Sequence, residues 1–227
     1  MTEILKNFQK EHASAYDQKF QPLSPFKDAL HLATQIALKS LPEDARVLVV
    51  GAGTGSELIF LAKKYPRWQF TAVEPSEDML EVCREKVEYE GLSDRCRLHR
   101  GYVDELPADT LYHGATSLLV SQFLMKIEDR RAFFQAIARR LLPEGRLVTA
   151  DLAHCGEDHE RVWELWLQAI SLLGGGPKQI TEYDKNVKQG VSFFSDLEMK
   201  KLLASAGFEK STHFFKTVLI NGWVAEL

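Results

Sequence analysis

The sequence predicts an α/β protein built on a doubly wound, mostly parallel sheet. Three observations carry that expectation. Short apolar runs alternate with segments of helical period over the first two thirds of the chain, the pattern of a sheet covered on both faces. The stretch LVVGAGTGSELIFLA at 48–62 passes from an apolar run through three alternating glycines into a helix-period segment, a unit suited to close approach of backbone and ligand. Near the end, Asn221-Gly222 lies between two β-rich runs. That dipeptide signals a hairpin, so the last two strands are expected to run antiparallel.

The elements follow in order. Arg46 to Val50 (RVLVV) forms a buried first strand between Pro42 and Gly51. Leu58, Ile59, Leu61, Ala62 and Tyr65 make the apolar stripe of a first helix, which Pro66 ends. Gln69 to Val73 is a second strand, after which Ser76 caps a helix with Met79, Leu80, Cys83 and Val87 on one face and Gly91 at its close. Cys96 to His99 is a weak third strand and Ala115 to Val120 a fourth. Residues 128 to 142 are expected to be helical, with Phe133, Phe134, Ile137 and Leu141 inward. Pro143-Glu144-Gly145 then turns the chain into a fifth strand, Arg146 to Ala150.

Beyond residue 152 the character changes. Residues 153 to 194 hold histidines, two tryptophans and the flexible GGGP at 174–177, a candidate covering or mobile segment. Ser195 to Ala206 is a capped helix stopped by Gly207, and two strands near 212–219 and 222–227 finish the chain. We expect one domain over 1–227. Within it, 1–40 forms an N-terminal helical cap and 45–152 a ligand-binding core. Residues 153–194 form an inserted segment, and 195–227 the last helix and hairpin.

Composition narrows the function classes. The 227 residues are 45% hydrophobic and 26% charged, with a formal net charge of −4, so no global positive field draws the chain to nucleic acid. The paired cations Arg139-Arg140 and Lys200-Lys201 read as solvated helix faces. Three scattered cysteines, Cys83, Cys96 and Cys155, form no C-x-x-C pair, which points to a reducing, cytoplasmic setting. The N-terminus is polar, and no apolar run reaches the ~20 residues that span a bilayer.

The glycine spacing separates the ligand classes. Dinucleotide folds place glycines as G-x-G-x-x-G, but here Gly51, Gly53 and Gly55 give G-x-G-x-G, with Ser56 at the third dinucleotide position. No Gly-Lys-Ser/Thr follows, so the P-loop pattern fails too. Glu74 lies 23 residues after Gly51 (74 − 51), at the end of the second strand. An acid there accepts hydrogen bonds from ribose hydroxyls in nucleoside-binding sheets.

On these residues the chain resembles the class I S-adenosylmethionine-dependent methyltransferases. VLVVGAGTGSELIFLA, TAVEPSEDML, SLLVSQFL and LLPEGRLVTADL match that family's successive motifs over about residues 45–152. The ending AGFEKSTHFFKTVLINGWVAEL resembles the small-molecule and tRNA wobble-uridine branch. The resemblance implies a seven-stranded Rossmann-like sheet with an antiparallel last strand, and S-adenosylmethionine as cofactor. It implies that Gly51, Ala52 and Gly53 pass under the methionine part, while Glu74, followed by Pro75, holds the ribose. Met79 would pack on the adenine, and Gly101, Tyr102 and Val103 would line its edge. Ser121, Gln122 and Phe123 would face the sulfonium and the acceptor. Tyr16 and Phe20 belong to a segment that folds over the pocket in look-alike proteins. Met79 and Phe123 as ordinary core, and simple edge packing of the N-terminal segment, stay open beside these roles.

Two positions depart from the family pattern. Val49 stands where members usually carry an acid two residues before the first glycine, and Tyr102 where many carry Asp; Asp104 is a possible substitute for the latter. The resemblance implies in-line methyl transfer, which needs alignment more than a triad, onto a small-molecule acceptor. SQFL at 121–124 lacks the Asn/Asp-Pro-Pro-Tyr/Phe segment of DNA amine methylation and the Pro-Cys of cytosine C5 methylation. Lysines without arginine in KNVKQGVSFFSD disfavour carboxymethyl transfer in the tRNA branch. His154 and His159 are candidate general bases, and with Cys155 they suggest a metal site that lacks a fourth ligand, so no metal is expected. Trp163 and Trp166 suit core packing or acceptor stacking. The competing classes are a non-catalytic cofactor-binding protein and a tRNA wobble-nucleoside enzyme, with an NAD oxidoreductase last; monomer and homodimer both stay open.

Overall fold

The computed structural model describes residues 16–107, 110–174 and 176–227. Among them, seven strands form one sheet in the order β3-β2-β1-β4-β5-β7-β6. A helical turn at 16–20 leads through a short 3₁₀ turn into α1 (Ser24–Leu38). Then follow β1 (Arg46–Val50), α2 (Ser56–Lys64), β2 (Gln69–Glu74), α3 (Glu77–Tyr89), β3 (Cys96–Arg100), β4 (Tyr112–Leu118) and α4 (Ile127–Ala138). The chain closes with β5 (Leu141–Leu152), α5 (His159–Ser171), α6 (Pro177–Gly190), α7 (Asp196–Ser205), β6 (Lys210–Thr217) and β7 (Ile220–Glu226).

The first five strands are parallel, and β7 runs antiparallel to both β5 and β6. From β1 the chain steps outward to β2 and β3, then returns to lay β4 on β1's other side. That reversal opens a crevice at the carboxyl ends of β1 and β4, where ligands of such sheets bind. On one face Leu38 of α1, Leu58 and Leu61 of α2, and Cys83 and Val87 of α3 cover Val47, Val49, Phe70 and Ala72. On the other, Phe134 and Ile137 of α4 with Met199, Leu202 and Leu203 of α7 cover Leu48, Val50, Ala115 and Leu147. A third apolar cluster joins Leu30 of α1 and Trp163, Trp166 and Ile170 of α5 to Ala150, Leu152 and Ile220.

Several expectations need correction. β4 begins at Tyr112 and stops at Leu118, because Leu119 turns to φ 60° while its N–H still reaches the Ala150 carbonyl. Helix α4 ends at Ala138, and Leu141 belongs to β5, opposite Tyr112; a bulge near 143–145, with Glu144 at φ 62°, separates it from the Gly114–Arg146 pairing. The hairpin exists, but its turn lies at Val218 and Leu219, with Val218 at φ 50°. Asn221 and Gly222 sit inside β7 opposite Asp151 and Ala150. Gly222 is there for room: a Cβ on it would come 3.1 Å from the Phe215 Cβ. The segment after 152 is a pair of helices whose packing is fixed by Trp163 Nε1 bonding Asp184 at 2.6 Å and Trp166 Nε1 bonding the Tyr183 hydroxyl at 2.9 Å. Arg140 is buried rather than solvated, its guanidinium donating to the Leu106 and Pro107 carbonyls.

Candidate functional site

The glycine loop between β1 and α2 is shaped by its neighbours. Gly51, Gly53 and Gly55 hold φ values of 72°, 53° and 82°, where a side chain is strained. Gly51 and Ala52 donate their N–H groups to the Val73 carbonyl at 2.8 and 3.1 Å, which folds the loop over the end of β2. A Cβ at 51 would lie 2.4 Å from a Val120 methyl, and one at 55 would lie 2.6 Å from Cys83 Sγ. At 53 nothing stands within 4 Å of such a Cβ. Gly53 therefore needs its backbone freedom yet opens onto space, as a ligand cradle does.

Glu74 binds this loop to the next strand end. Its Oε2 accepts from the Gly53 N–H and its Oε1 from the Ser76 N–H, both at 2.9 Å. The carboxyl is 8% exposed, and burial pushes its pKa up against those two bonds. A carboxylate offers about four lone-pair sites; two are used, and two remain for the hydroxyls of a ribose. Pro75, half-buried, carries the chain from Glu74 to Ser76, whose Oγ accepts from the Met79 N–H at 3.3 Å and caps α3. Met79 is buried but belongs to none of the three apolar clusters above. After β3, Gly101 sits at φ 140°, Val103 is buried, and the Tyr102 N–H donates to Glu105 Oε2 at 2.7 Å. Glu105, rather than Asp104, folds back onto this segment.

Ser121 and Gln122 lie after β4, where the motif put them, but their side chains are spent inside the protein. Ser121 Oγ bonds Asp151, and Gln122 Oε1 accepts from the Leu152 N–H at 2.6 Å. Arg130 of α4, wholly buried, donates to Ser121 Oγ at 2.9 Å, Asp151 at 2.7 Å and the Ser192 carbonyl at 3.2 Å. It also stacks under Phe194, its guanidinium carbon 4.2 Å from the ring centroid. One cation thus ties together the ends of β4 and β5 and the strand-like run before α7. Phe123 packs with the third apolar cluster.

His154 and His159 meet beyond β5 with rings stacked at 4.2 Å. Their Nδ1 atoms are already acceptors, from the Gly156 N–H at 3.1 Å and the Cys155 N–H at 3.4 Å. Burial and the neighbouring His154 hold the His159 pKa below the usual imidazole range. In the neutral ring that bonding leaves the hydrogen on Nε2. Among the described residues no group of three His, Cys, Asp or Glu side chains is gathered for a metal.

Tyr16 lies within electrostatic reach of Glu74: burial raises its pKa, and the charges of Asp17 and Glu74 push the same way. Its ring meets Phe20 at 4.9 Å. Sequence reasoning missed Asp17, Lys86, Arg130 and Tyr183. No short-range pattern marks them, because each acts across a long stretch of chain.

A mostly parallel sheet with this strand order, a G-x-G-x-G loop open above its middle glycine, and a buried acid at the adjoining strand end are the features of a nucleoside-binding α/β protein. Residues 47–145 match the family model described as a methyltransferase domain. The chain is 25% identical over 214 residues to malonyl-[acyl-carrier protein] O-methyltransferase of Priestia megaterium, across 94% of this chain and 71% of that one. It is 25% identical over 220 residues to carboxy-S-adenosyl-L-methionine synthase of Campylobacter hominis, across 94% and 92%. An O-methyltransferase family 2 protein from Planctomyces limnophilus, solved in complex with apigenin, shares the fold at a TM-score of 0.65 and 18% identity, covering 96% of this chain and 61% of its own length. The family model and these relatives support an S-adenosylmethionine-dependent methyltransferase. The solved structures it resembles are longer, and it spans about six tenths of that one.

Proposed function

We propose that the protein transfers the methyl group of S-adenosylmethionine to a small-molecule acceptor held beside the carboxyl ends of β4 and β5. The observation that carries this reading is the joint built by Gly53 and Glu74, an open backbone cradle fastened to a buried carboxylate with lone pairs to spare. Gly51, Ala52 and Gly53 would underlie the methionine part, Glu74 would accept from the ribose, and Met79, Gly101, Tyr102 and Val103 would border the adenine. The cofactor supplies a methyl group already activated by its sulfonium. The chain's own work is alignment, which can contribute ~7–11 kcal/mol when reacting atoms are held in line. Ser121 and Gln122 contribute through backbone position, set by Arg130 and Asp151. His154 and His159, stacked beyond the end of β5, remain the candidate general bases should the acceptor have to lose a proton.

The likeness to a carboxy-S-adenosyl-L-methionine synthase over nearly the whole of both chains supports a second reading, in which the cofactor itself is modified. One experiment separates the two. The purified protein is incubated with S-adenosylmethionine and a panel of phenols, carboxylic acids and thiols, and both acceptor and cofactor are followed by mass spectrometry. A methylated acceptor with stoichiometric S-adenosylhomocysteine supports the proposal. A cofactor that gains mass supports the second reading, and a protein that binds no S-adenosylmethionine at millimolar concentration overturns both.

A further inference from the structure

The described chain begins by crossing the glycine loop. Asp17 Oδ1 accepts from the Thr54 hydroxyl at 3.0 Å, while its Oδ2 is paired with Lys86 of α3. Lys86 Nζ also donates to the Thr54 carbonyl at 3.2 Å. Thr54 is buried and stands between Gly53 and Gly55, so its hydroxyl and its carbonyl are both held by this pair. Beside Asp17, Tyr16 lies within electrostatic reach of Glu74, and Tyr183 of α6 lies within reach of Tyr16. Segment 16–20 is therefore fastened to the glycine loop and to α3, with Tyr16 in electrostatic reach of the ribose-side carboxylate and of α6.

We infer that the Asp17–Thr54–Lys86 contact is a latch that holds segment 16–20 over the cofactor crevice, and that its opening sets the rate at which cofactor and spent cofactor exchange. This rests on the crevice at Gly53 and Glu74 being the cofactor site. The materials suit a latch better than a permanent weld. Asp17 and Lys86 keep 36% and 34% of their side-chain surface in water, a setting in which an ion pair contributes little and is screened by salt. The hydrogen bonds to Thr54 add direction: they attach the segment to the loop that would lie under the ligand. Asp17 and Lys86 are positioning residues in this account. They act on the path into the site, and they touch the loop rather than the reacting atoms.

A gate has a kinetic signature that a simple holding contact lacks. A contact made only to bound ligand slows release alone, whereas a gate closed in both states slows entry and release together and leaves Kd nearly unchanged. The test is stopped-flow association and chase of S-adenosylhomocysteine with the full chain, its Asp17→Asn and Lys86→Met variants, and Lys63→Met as a control that breaks the ion pair of similar exposure with Glu90. Both rate constants are expected to rise about ten-fold in the first two variants, from loss of one ion pair and the hydrogen bonds around it, with Kd moving less than about three-fold. The wild-type rates should rise with salt, those of Asp17→Asn should not, and Lys63→Met should match wild type. Unchanged rates in Lys86→Met, whose α3 site does not depend on how segment 16–20 folds, overturn the latch. So does a rise in release with no rise in entry. If wild type binds no S-adenosylhomocysteine, the cofactor site itself is misplaced and the latch falls with it.

Discussion

Glu57, in the first turn of α2, places a carboxyl where water does not reach. It is buried, its Oε1 has no hydrogen-bond partner, and the Thr116 hydroxyl on β4 is the group that eases it. Burial pushes its pKa from 4.5 up to about 7. The folded state thus keeps a proton that the unfolded chain has released, so stability falls as pH rises from about 4.5 to 7, by up to about 3 kcal/mol. Glu57→Gln should flatten that slope and raise the melting temperature at pH 8, measured by calorimetry across pH. A variant that melts lower at pH 8 would show instead that the charged form has a partner. Glu74 is also buried and its pKa also raised, but it differs in accepting two backbone N–H bonds. Glu74→Gln should weaken S-adenosylmethionine binding by about 10- to 100-fold, the worth of hydrogen bonds to a charged acceptor, and isothermal titration reads it. At this scale Gly51, Gly53, Glu74 and the Ser76 cap were legible in the sequence, because each is defined by neighbours within a few residues or by a strand end. The spending of the Ser121 and Gln122 side chains on Asp151 and the Leu152 N–H was not, since their partners lie about thirty residues away.

Among the elements, the firmest is the tie between α4, β4, β5 and the run before α7. Arg130 and Asp151 are 0% and 1% exposed, and each satisfies the other within a closed set of bonds. Removing one partner strands a buried charge, which costs about 3–5 kcal/mol. Arg130→Met should therefore lower stability by that amount in denaturant unfolding, and pairing it with Asp151→Asn should recover part of the loss. Strictly additive losses would mean the two act independently. Legibility at this scale followed locality. Helices α2, α3 and α7 were marked by caps, stripes and stop residues, and the structure has them. The Asn221-Gly222 signal misled because glycine serves close packing as well as turns, and the Phe215 side chain decides which. Leu141 was read into α4 by its helical spacing, but pairing with Tyr112 claims it for β5, a tertiary preference that spacing cannot show.

At the scale of the molecule, the sheet order brings distant segments to one edge. The reversal after β3 sets the glycine loop beside β4, and the antiparallel β7 against β5 leaves the end of β5 to carry His154 next to the helical pair. The alternation of apolar runs and helical stripes was enough to foresee that architecture, because a parallel sheet needs covered faces. The docking of segment 16–20 on the glycine loop was not foreseeable in detail. It depends on residues 17, 54 and 86 meeting, and nothing local announces that they do. Among the described residues no helix is long and apolar enough to cross a membrane.

The central claim is that the nucleoside lies across the carboxyl ends of β1 and β2, over Gly53 and against Glu74. Amide hydrogen exchange with and without saturating S-adenosylhomocysteine tests it directly, since bound ligand slows opening of the backbone it touches. Slowed exchange at 51–55, 74–79 and 101–103 is the predicted result. Protection that leaves those three segments unchanged while saturating ligand is bound would contradict it.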